Sequence, residues 1–166
     1  HGHCTCGKGK RCNNSGKHPV YSGWEKRATS HEPEIKAAFI KHPGANIGFA
    51  AGGTFFVLDI DTAHGGDESL KPFGKLSPTV SVRTGGGGSH HYYKMPQGIR
   101  VPNRAAIIPG VDLRSGGGLV VAPGSRHKSG GTYEWMPGCS PDEMEIAEPD
   151  AWLLQLIQNA GKEKPI

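Results

Sequence analysis

The chain alternates short apolar runs with glycine-rich polar stretches, a pattern that predicts many short strands and few helices. The sharpest run is F-F-V-L-D-I-D, residues 55–61. Four apolar residues, with Val57 β-branched, lead into Asp59 and Asp61, which flank Ile60. This reads as a buried strand ending in two carboxylates. Strand side chains alternate faces, so the two acids would point the same way, roughly 6–7 Å apart. Like charges so placed repel, and a hard divalent cation such as Mg²⁺ removes the repulsion. The same motif also suits a solvated strand end before the Gly65-Gly66 turn, so by itself it leaves both readings open.

The remaining elements are placed around this strand. Residues 45–51 predict a short strand that Gly52-Gly53 turns back, setting Ile47 and Val57 on paired strands of a hairpin. Upstream, residues 19–29 predict a loop with Trp24 as a core anchor. Thr29 or Ser30 then caps a helix that has an acidic first turn and runs to about Lys41, before Pro43-Gly44. Downstream, a short helix is expected over 67–73 and a strand over 79–84. After the glycines at 85–88, residues 90–94 continue in extended form and pair with that strand. Residues 96–110 predict a proline-bearing loop. Strands follow at 111–115, 119–123 and 132–135, with a basic loop at 124–131. A C-terminal helix within 141–157 puts Trp152, Leu153, Leu156 and Ile157 on one face, and residues 161–166 predict the start of a linker. No fixed repeat is present, which excludes a solenoid. The fold class expected is α+β, a mixed α/β arrangement.

Composition bounds this picture without redirecting it. The 166 residues suffice for one domain with a core, and 26 Gly with 13 Pro account for the many turns. A net charge of +4 permits an anionic partner without requiring one. No apolar run approaches the roughly 18–20 residues of a membrane span, and no signal-peptide pattern opens the chain, so a soluble cytoplasmic protein is expected. The chain starts at His1 inside a Cys-rich segment, and the natural domain is expected to extend upstream.

That segment spaces its ligands as Cys4-x-Cys6, five residues, Cys12, five residues, His18. Three thiolates and an imidazole among Gly, Lys and Asn suit one structural, tetrahedral Zn²⁺, with His3 as an alternative fourth ligand. Lys8, Lys10, Arg11 and Lys17 would help keep the thiolates ionised. A disulfide plus a spare thiol is the competing arrangement, disfavoured in a chain without a secretory signal.

Three pairs at predicted strand ends carry candidate chemistry: Asp59/Asp61, Ser89/His90 and Asp112/Arg114. Each sits beside a glycine cluster, where backbone can approach a ligand. Carboxylates so gathered can hold two metal ions roughly 3.5–4 Å apart for in-line phosphoryl transfer. Arg114, His90 and the loop bearing Ser125, Arg126, His127 and Lys128 would neutralise phosphates, and the amides of residues 86–89 would add donors. Taken singly, each pair also suits a plain structural role, Asp112 and Arg114 as a surface ion pair of little energetic weight.

These stretches together resemble a known family. C-T-C-G-K-G-K-R-C-N-N-S-G-K-H-P, W-E-K-R-A-T-S, P-G-A-N-I-G, V-L-D-I-D-T-A-H-G-G, R-T-G-G-G-G-S-H-H-Y-Y and V-D-L-R-S-G-G-G-L-V-V-A-P-G-S-R-H-K-S-G-G-T-Y-E-W follow in order from about Cys4 to Trp135. The chain is similar to the N-terminal primase–polymerase (Prim-Pol) domain of the archaeo-eukaryotic primase superfamily. The resemblance implies a catalytic core with a sheet like that of an RNA-recognition motif, plus a small N-terminal subdomain carrying the zinc knuckle. It divides the chain into one catalytic domain, 1–160, with a zinc-binding segment at 1–18, a subdomain at 19–53 and the core at 54–160, followed by the linker start at 161–166.

It also implies roles. Asp59, Asp61, His90 and Asp112 would be catalytic, with Asp59, Asp61 and Asp112 holding Mg²⁺ or Mn²⁺. Ser89, His90, Arg114, Ser125 and His127 would contact the nucleotide, with Lys17 and Asn46 as site neighbours. The activity implied is a template-dependent primase and polymerase acting on single-stranded DNA and primer with nucleoside triphosphates. A helicase domain or protein would be its partner, in a prokaryotic, phage or plasmid context. Gly88 replaces a frequent Ser, A-P-G-S replaces A-P-P-S, and the usual strand before the Cys segment is absent. The alternatives are a metal-dependent nuclease or phosphodiesterase using the same acids, and a non-catalytic zinc-bearing single-strand-binding module stacking bases on Tyr92, Tyr93, Trp24 and Trp135.

Overall fold

The acidic run does form a strand, and it lies inside the larger of two antiparallel sheets. The computed structural model describes residues 4, 6 and 8–162. Its strands are β1 (Gly48–Ala50), β2 (Phe55–Ile60), β3 (Ser81–Arg83), β4 (Ser89–Lys94), β5 (Arg104–Ile108), β6 (Val111–Arg114), β7 (Leu119–Val121) and β8 (Glu134–Trp135). The helices are α1 (Glu32–Lys41), α2 (Gly66–Leu70) and α3 (Ala151–Lys162). Six strands join in the order β5-β6-β2-β4-β3-β8, and β1 pairs with β7 in a separate two-stranded ladder. The fold is mixed α+β, and no described helix is long and apolar enough to cross a membrane.

Alternation along β2 builds two cores. Phe56, Leu58 and Ile60 face a cluster that includes Tyr93, Val111, Leu113 and, from α3, Leu153 and Ile157. The opposite face carries Val57 and Tyr92 against Val80, Val82, Val120, Val121 and Tyr133. The β1–β7 ladder covers that second face, where Phe49 meets Tyr92 edge-on at 6.3 Å. Asp59 is the next residue of β2 on this face. It thus stands where the covered apolar surface ends.

The structure corrects several expectations. β1 does not form a hairpin with β2: Gly48 and Ala50 pair with Val121 and Leu119, and only a Gly52–Phe55 bridge marks the turn. Both edges of β2 are already taken by β4 and β6, which leaves β1 nothing there to bond. The proline-bearing stretch is not all loop, since β5 forms within it. Its pairing with β6 slips between Arg104 and Ile108, and Ala106 adopts φ 50°, so no alternating pattern announces it. The N-cap of α1 is His31, and the Thr29 hydroxyl instead accepts the His31 amide at 3.1 Å. Trp24 is half-buried in a 3-10 turn outside both core clusters. The last helix continues to Lys162, past the expected linker start.

The end of β2 is clamped by backbone. Asp61 N donates to Gly110 O at 2.8 Å and Gly66 N donates to Asp61 O at 2.9 Å. A Cβ on Gly66 would lie 2.3 Å from Gly110 O and 3.0 Å from Asp61 O. Neither oxygen can move without breaking the clamp. Gly66→Ala is therefore expected to destabilise the domain by about 2 kcal/mol or more, measured by urea unfolding. Wild-type stability in this variant would show that the clamp yields.

Candidate active site

Strand register brings three of the expected residues to one rung. Asp59 lies opposite His90 on β4 and opposite Asp112 on β6. Residues directly opposite in an antiparallel pair project to the same side, so these side chains share one face. His90 Nε2 is 3.5 Å from Asp59 Oδ1, and Arg114 Nε is 3.6 Å from Asp59 Oδ2. Arg114 also pairs through Nη2 with Asp112 Oδ2. The guanidinium thus bridges two carboxylates from neighbouring strands. Asp112 Oδ1 accepts the Ala106 amide at 2.7 Å, which ties it to the irregular part of β5.

Burial sets the charge states. The Asp59 side chain is 25% exposed. Its carboxyl is pushed up to about 6, first by burial and then by the charges of Asp112 and Asp61, against the opposing pull of Arg114 and Lys17. His90 is held down at about 3, by burial first and then by Lys17 and Arg114. It is therefore neutral at pH 7. Its Nδ1 is buried without a partner among the described residues, so the single ring proton belongs on Nε2, facing Asp59. The ring lies tilted against Tyr133 at 6.0 Å.

The other expected residues fall elsewhere. Asp61 follows β2 and caps a 3-10 turn, Thr62–His64, accepting the Ala63 amide at 3.0 Å and meeting His64 Nδ1 at 2.8 Å. Slight burial pushes its carboxyl up, but the His64 contact and the local amides outweigh this and the net shift is down. The Ser89 hydroxyl meets His91 Nε2 at 2.9 Å, on the face opposite His90, and His91 Nδ1 meets Ser81 Oγ at 2.9 Å. Ser125 is 2% exposed. Its Oγ accepts the Ile47 amide at 2.9 Å, so it fastens the chain entering β1. His127 is partly exposed, with Nδ1 2.8 Å from Ser129 Oγ, and it packs against Gly85 and Gly86. Sequence spacing gave no sign of His64 as the partner of Asp61, or of Tyr133 beneath His90.

The glycine run does serve a close approach, but to the protein's own chain. A Cβ on Gly88 would fall 2.2 Å from Ile60 O, and one on Gly85 would fall 2.4 Å from the His127 Cβ. The amides of Gly87 and Gly88, expected as phosphate donors, are bonded to Thr84 O at 3.0 Å and Thr84 Oγ1 at 3.0 Å.

Cys4, Cys6, Cys12 and His18 converge, with ligand atoms all within 4.8 Å of one another. His18 Nδ1 is 3.1 Å from Cys4 Sγ and 3.5 Å from Cys12 Sγ. The Lys8 amide, followed by Cys4, holds the Cys6 thiol below its ordinary value. His3 lies outside the described residues. Asn46 ties this segment to the basic loop. Its Nδ2 donates to Gly16 O at 3.0 Å and Arg126 O at 2.8 Å, and its Oδ1 accepts the Arg126 amide at 3.0 Å.

Set beside known proteins, the chain matches the family model described as bifunctional DNA primase/polymerase, N-terminal, over residues 10–152. No curated protein matches it. The family implies primase- and polymerase-type nucleotidyl transfer, with DNA and nucleotides as substrates and divalent metal ions in use. The match includes the whole rung of Asp59, His90 and Asp112, and this chain belongs to the Prim-Pol family of bifunctional DNA primase/polymerase N-terminal domains.

Proposed function

We propose that this domain is a template-dependent nucleotidyltransferase that makes and extends DNA primers from nucleoside triphosphates by two-metal-ion transfer, on a primase-type core. The observation that carries the reading is the rung of Asp59 between His90 and Asp112, with Arg114 bridging the two acids. A guanidinium between two carboxylates stands in for a cation, and hard oxygen donors suit Mg²⁺ or Mn²⁺. Asp59 and Asp112 would hold such ions, joined by Asp61 once its carboxylate leaves His64. When bound, the metal supplies the charge that activates a primer 3′-hydroxyl and stabilises the leaving pyrophosphate.

The chain's own groups do the rest. Arg114, displaced from the acids, turns its donors to the triphosphate. His90 keeps its proton on Nε2 and donates it in a hydrogen bond to a phosphate oxygen. His127, Arg126 and Lys128 add donors and positive charge at the rim. The Ser89 side chain supports this arrangement through His91, on the far face, and Ser125 supports it by holding residue 47. Cys4, Cys6, Cys12 and His18 would hold one structural Zn²⁺, since three sulfurs and a nitrogen at their mutual spacing suit a tetrahedral site. The reading of a plain single-strand-binding module loses two of its four stacking residues, because Tyr92 and Tyr93 are only 3% and 0% exposed, while Trp24 and Trp135 are half-buried.

Primer extension and unprimed synthesis on single-stranded DNA with Mn²⁺ test the activity. Asp59→Asn, Asp112→Asn and His90→Ala are each expected to reduce the rate by about 10²-fold or more, through lost charge and phosphate contacts. Equal rates for wild type and Asp59→Asn would remove that acid from the reaction. Release of nucleotides from DNA without triphosphates would instead indicate a hydrolase.

A second outcome concerns stability. The Asp59 carboxyl, at about 6, lies above its unfolded value of 3.8, so the fold favours the protonated form. Its destabilising contribution is absent below about pH 4, grows between pH 4 and 6, and is complete above that. Metal-free Asp59→Asn is thus expected to be more stable than wild type at pH 7, by up to about 3 kcal/mol, with the gain vanishing near pH 4. Thermal unfolding at the two pH values checks this, and a less stable variant at pH 7 would contradict it. For the knuckle, elemental analysis is expected to give about one Zn per chain, lost in Cys12→Ser. Full zinc content in that variant would exclude Cys12 as a ligand.

A further inference from the structure

Lys17 belongs to the metal-binding segment, yet it stands at the rim of the active site: Gly16 before it lies against Arg126, whose neighbour His127 meets Tyr133 at 6.2 Å, and Tyr133 meets His90 at 6.0 Å. The Lys17 charge acts on Asp59, on His90 and on His127. The chain on either side of it is fixed. Before it, Gly16 O accepts from Asn46 Nδ2 at 3.0 Å, and Gly16 has φ 81° with no room for a Cβ, which would meet that Nδ2 at 2.8 Å. After it, His18 closes on Cys4 and Cys12. Lys17 N itself donates to Asn14 O at 3.1 Å, making a tight turn.

Two struts then hold this turn to the body of the domain. Asn46 spans Gly16 and both the N–H and C=O of Arg126. Lys128 Nζ donates to Asn13 O. The loop so engaged is itself bonded to the glycine turn, with Ser129 Oγ donating to Gly85 O at 3.0 Å. Nothing in the packing of the core requires a lysine at this place. Lys17 is exposed and no core cluster includes it. What requires it is charge. A nucleoside triphosphate brings several negative charges to a site that already holds the carboxylates of Asp59 and Asp112, and beyond the metals they need cationic donors.

We propose that Lys17 binds the triphosphate of the incoming nucleotide, and that the Cys4/Cys6/Cys12/His18 cluster serves the active site by holding Lys17 in place, with Asn46 as the positioning residue between them. This rests on the nucleotidyltransferase reading given above. The metal segment thereby becomes a wall of the nucleotide site, and losing its metal weakens triphosphate binding even though no ligand of that metal touches the nucleotide.

The test is equilibrium binding by the purified full chain of a non-hydrolysable dATP analogue in Mn²⁺, alongside binding of Mn²⁺ alone followed by electron paramagnetic resonance. Lys17→Ala is expected to weaken triphosphate binding about 10- to 100-fold, the loss of one charged hydrogen-bonding partner. Its affinity for Mn²⁺ alone should be unchanged or higher, because a cation has left the neighbourhood of Asp59. Lys17→Arg should restore most of the triphosphate affinity. Asn46→Ala and zinc-stripped protein should shift in the same direction as Lys17→Ala. Wild-type triphosphate affinity in Lys17→Ala overturns the proposal, and so does a parallel loss of Mn²⁺ affinity, which is what a merely structural role would produce. A wild-type protein that binds Mn²⁺ but no triphosphate overturns the nucleotide reading itself and this inference with it.

Discussion

Asp59 carries a negative charge into the middle of a six-stranded sheet, and much of the surrounding architecture answers that charge. Its neighbours along the same face of β2 are Phe55 and Val57, both packed against apolar side chains. Burial raises its carboxyl to about 6, and Asp112 across the ladder adds to the cost. Arg114 lies against both acids and offsets part of it. An anion held this way binds a cation more strongly than a solvated one does, because the cation relieves a cost that water is not there to relieve. The arrangement spends fold stability to keep a binding site prepared.

The sheet keeps that cost local by dividing its two faces between different tasks. On one face, α3 seals a continuous apolar core against Phe56, Leu58 and Leu113. On the other, the β1–β7 ladder covers only part of the surface, and the acids occupy the rest. His90 and His91 show the division within two residues. His90 turns toward Asp59, while His91 turns to Ser81 and Ser89 on the far side. Both are neutral at pH 7, at about 3 and about 4, because burial disfavours an imidazolium on either face.

The rim of the site is assembled from segments far apart in the chain. The glycine turn, the basic loop and the cysteine segment hold one another through Ser129, Asn46 and Lys128. Glycine is needed at 85 and 88 because protein atoms come within 2.4 Å and 2.2 Å of where a Cβ would stand. Those contacts order the rim before any ligand arrives, which lowers the conformational cost of binding.

The sequence by itself determined the local chemistry. The apolar run into Asp59 gave a strand, the Cys and His spacing gave a convergent cluster, and the periodicity of Leu153, Leu156 and Ile157 gave a buried helix face. These follow from propensity and period, which act over a few residues. Partner choice followed only where a short glycine turn joins neighbours, as in β3 with β4. That β1 leaves β2 for β7 and that β5 forms through a slipped register depend on which edges remain free once other strands have paired. The same holds for the site. The acids were legible as a D-x-D and a later Asp, but the rung that joins Asp59 to His90 and Asp112, and the tie of the Lys17 segment to the basic loop through Asn46, arise only from tertiary packing. Hydrogen bonds and charges between distant segments decide these, and they leave no mark in the spacing of residues along the chain.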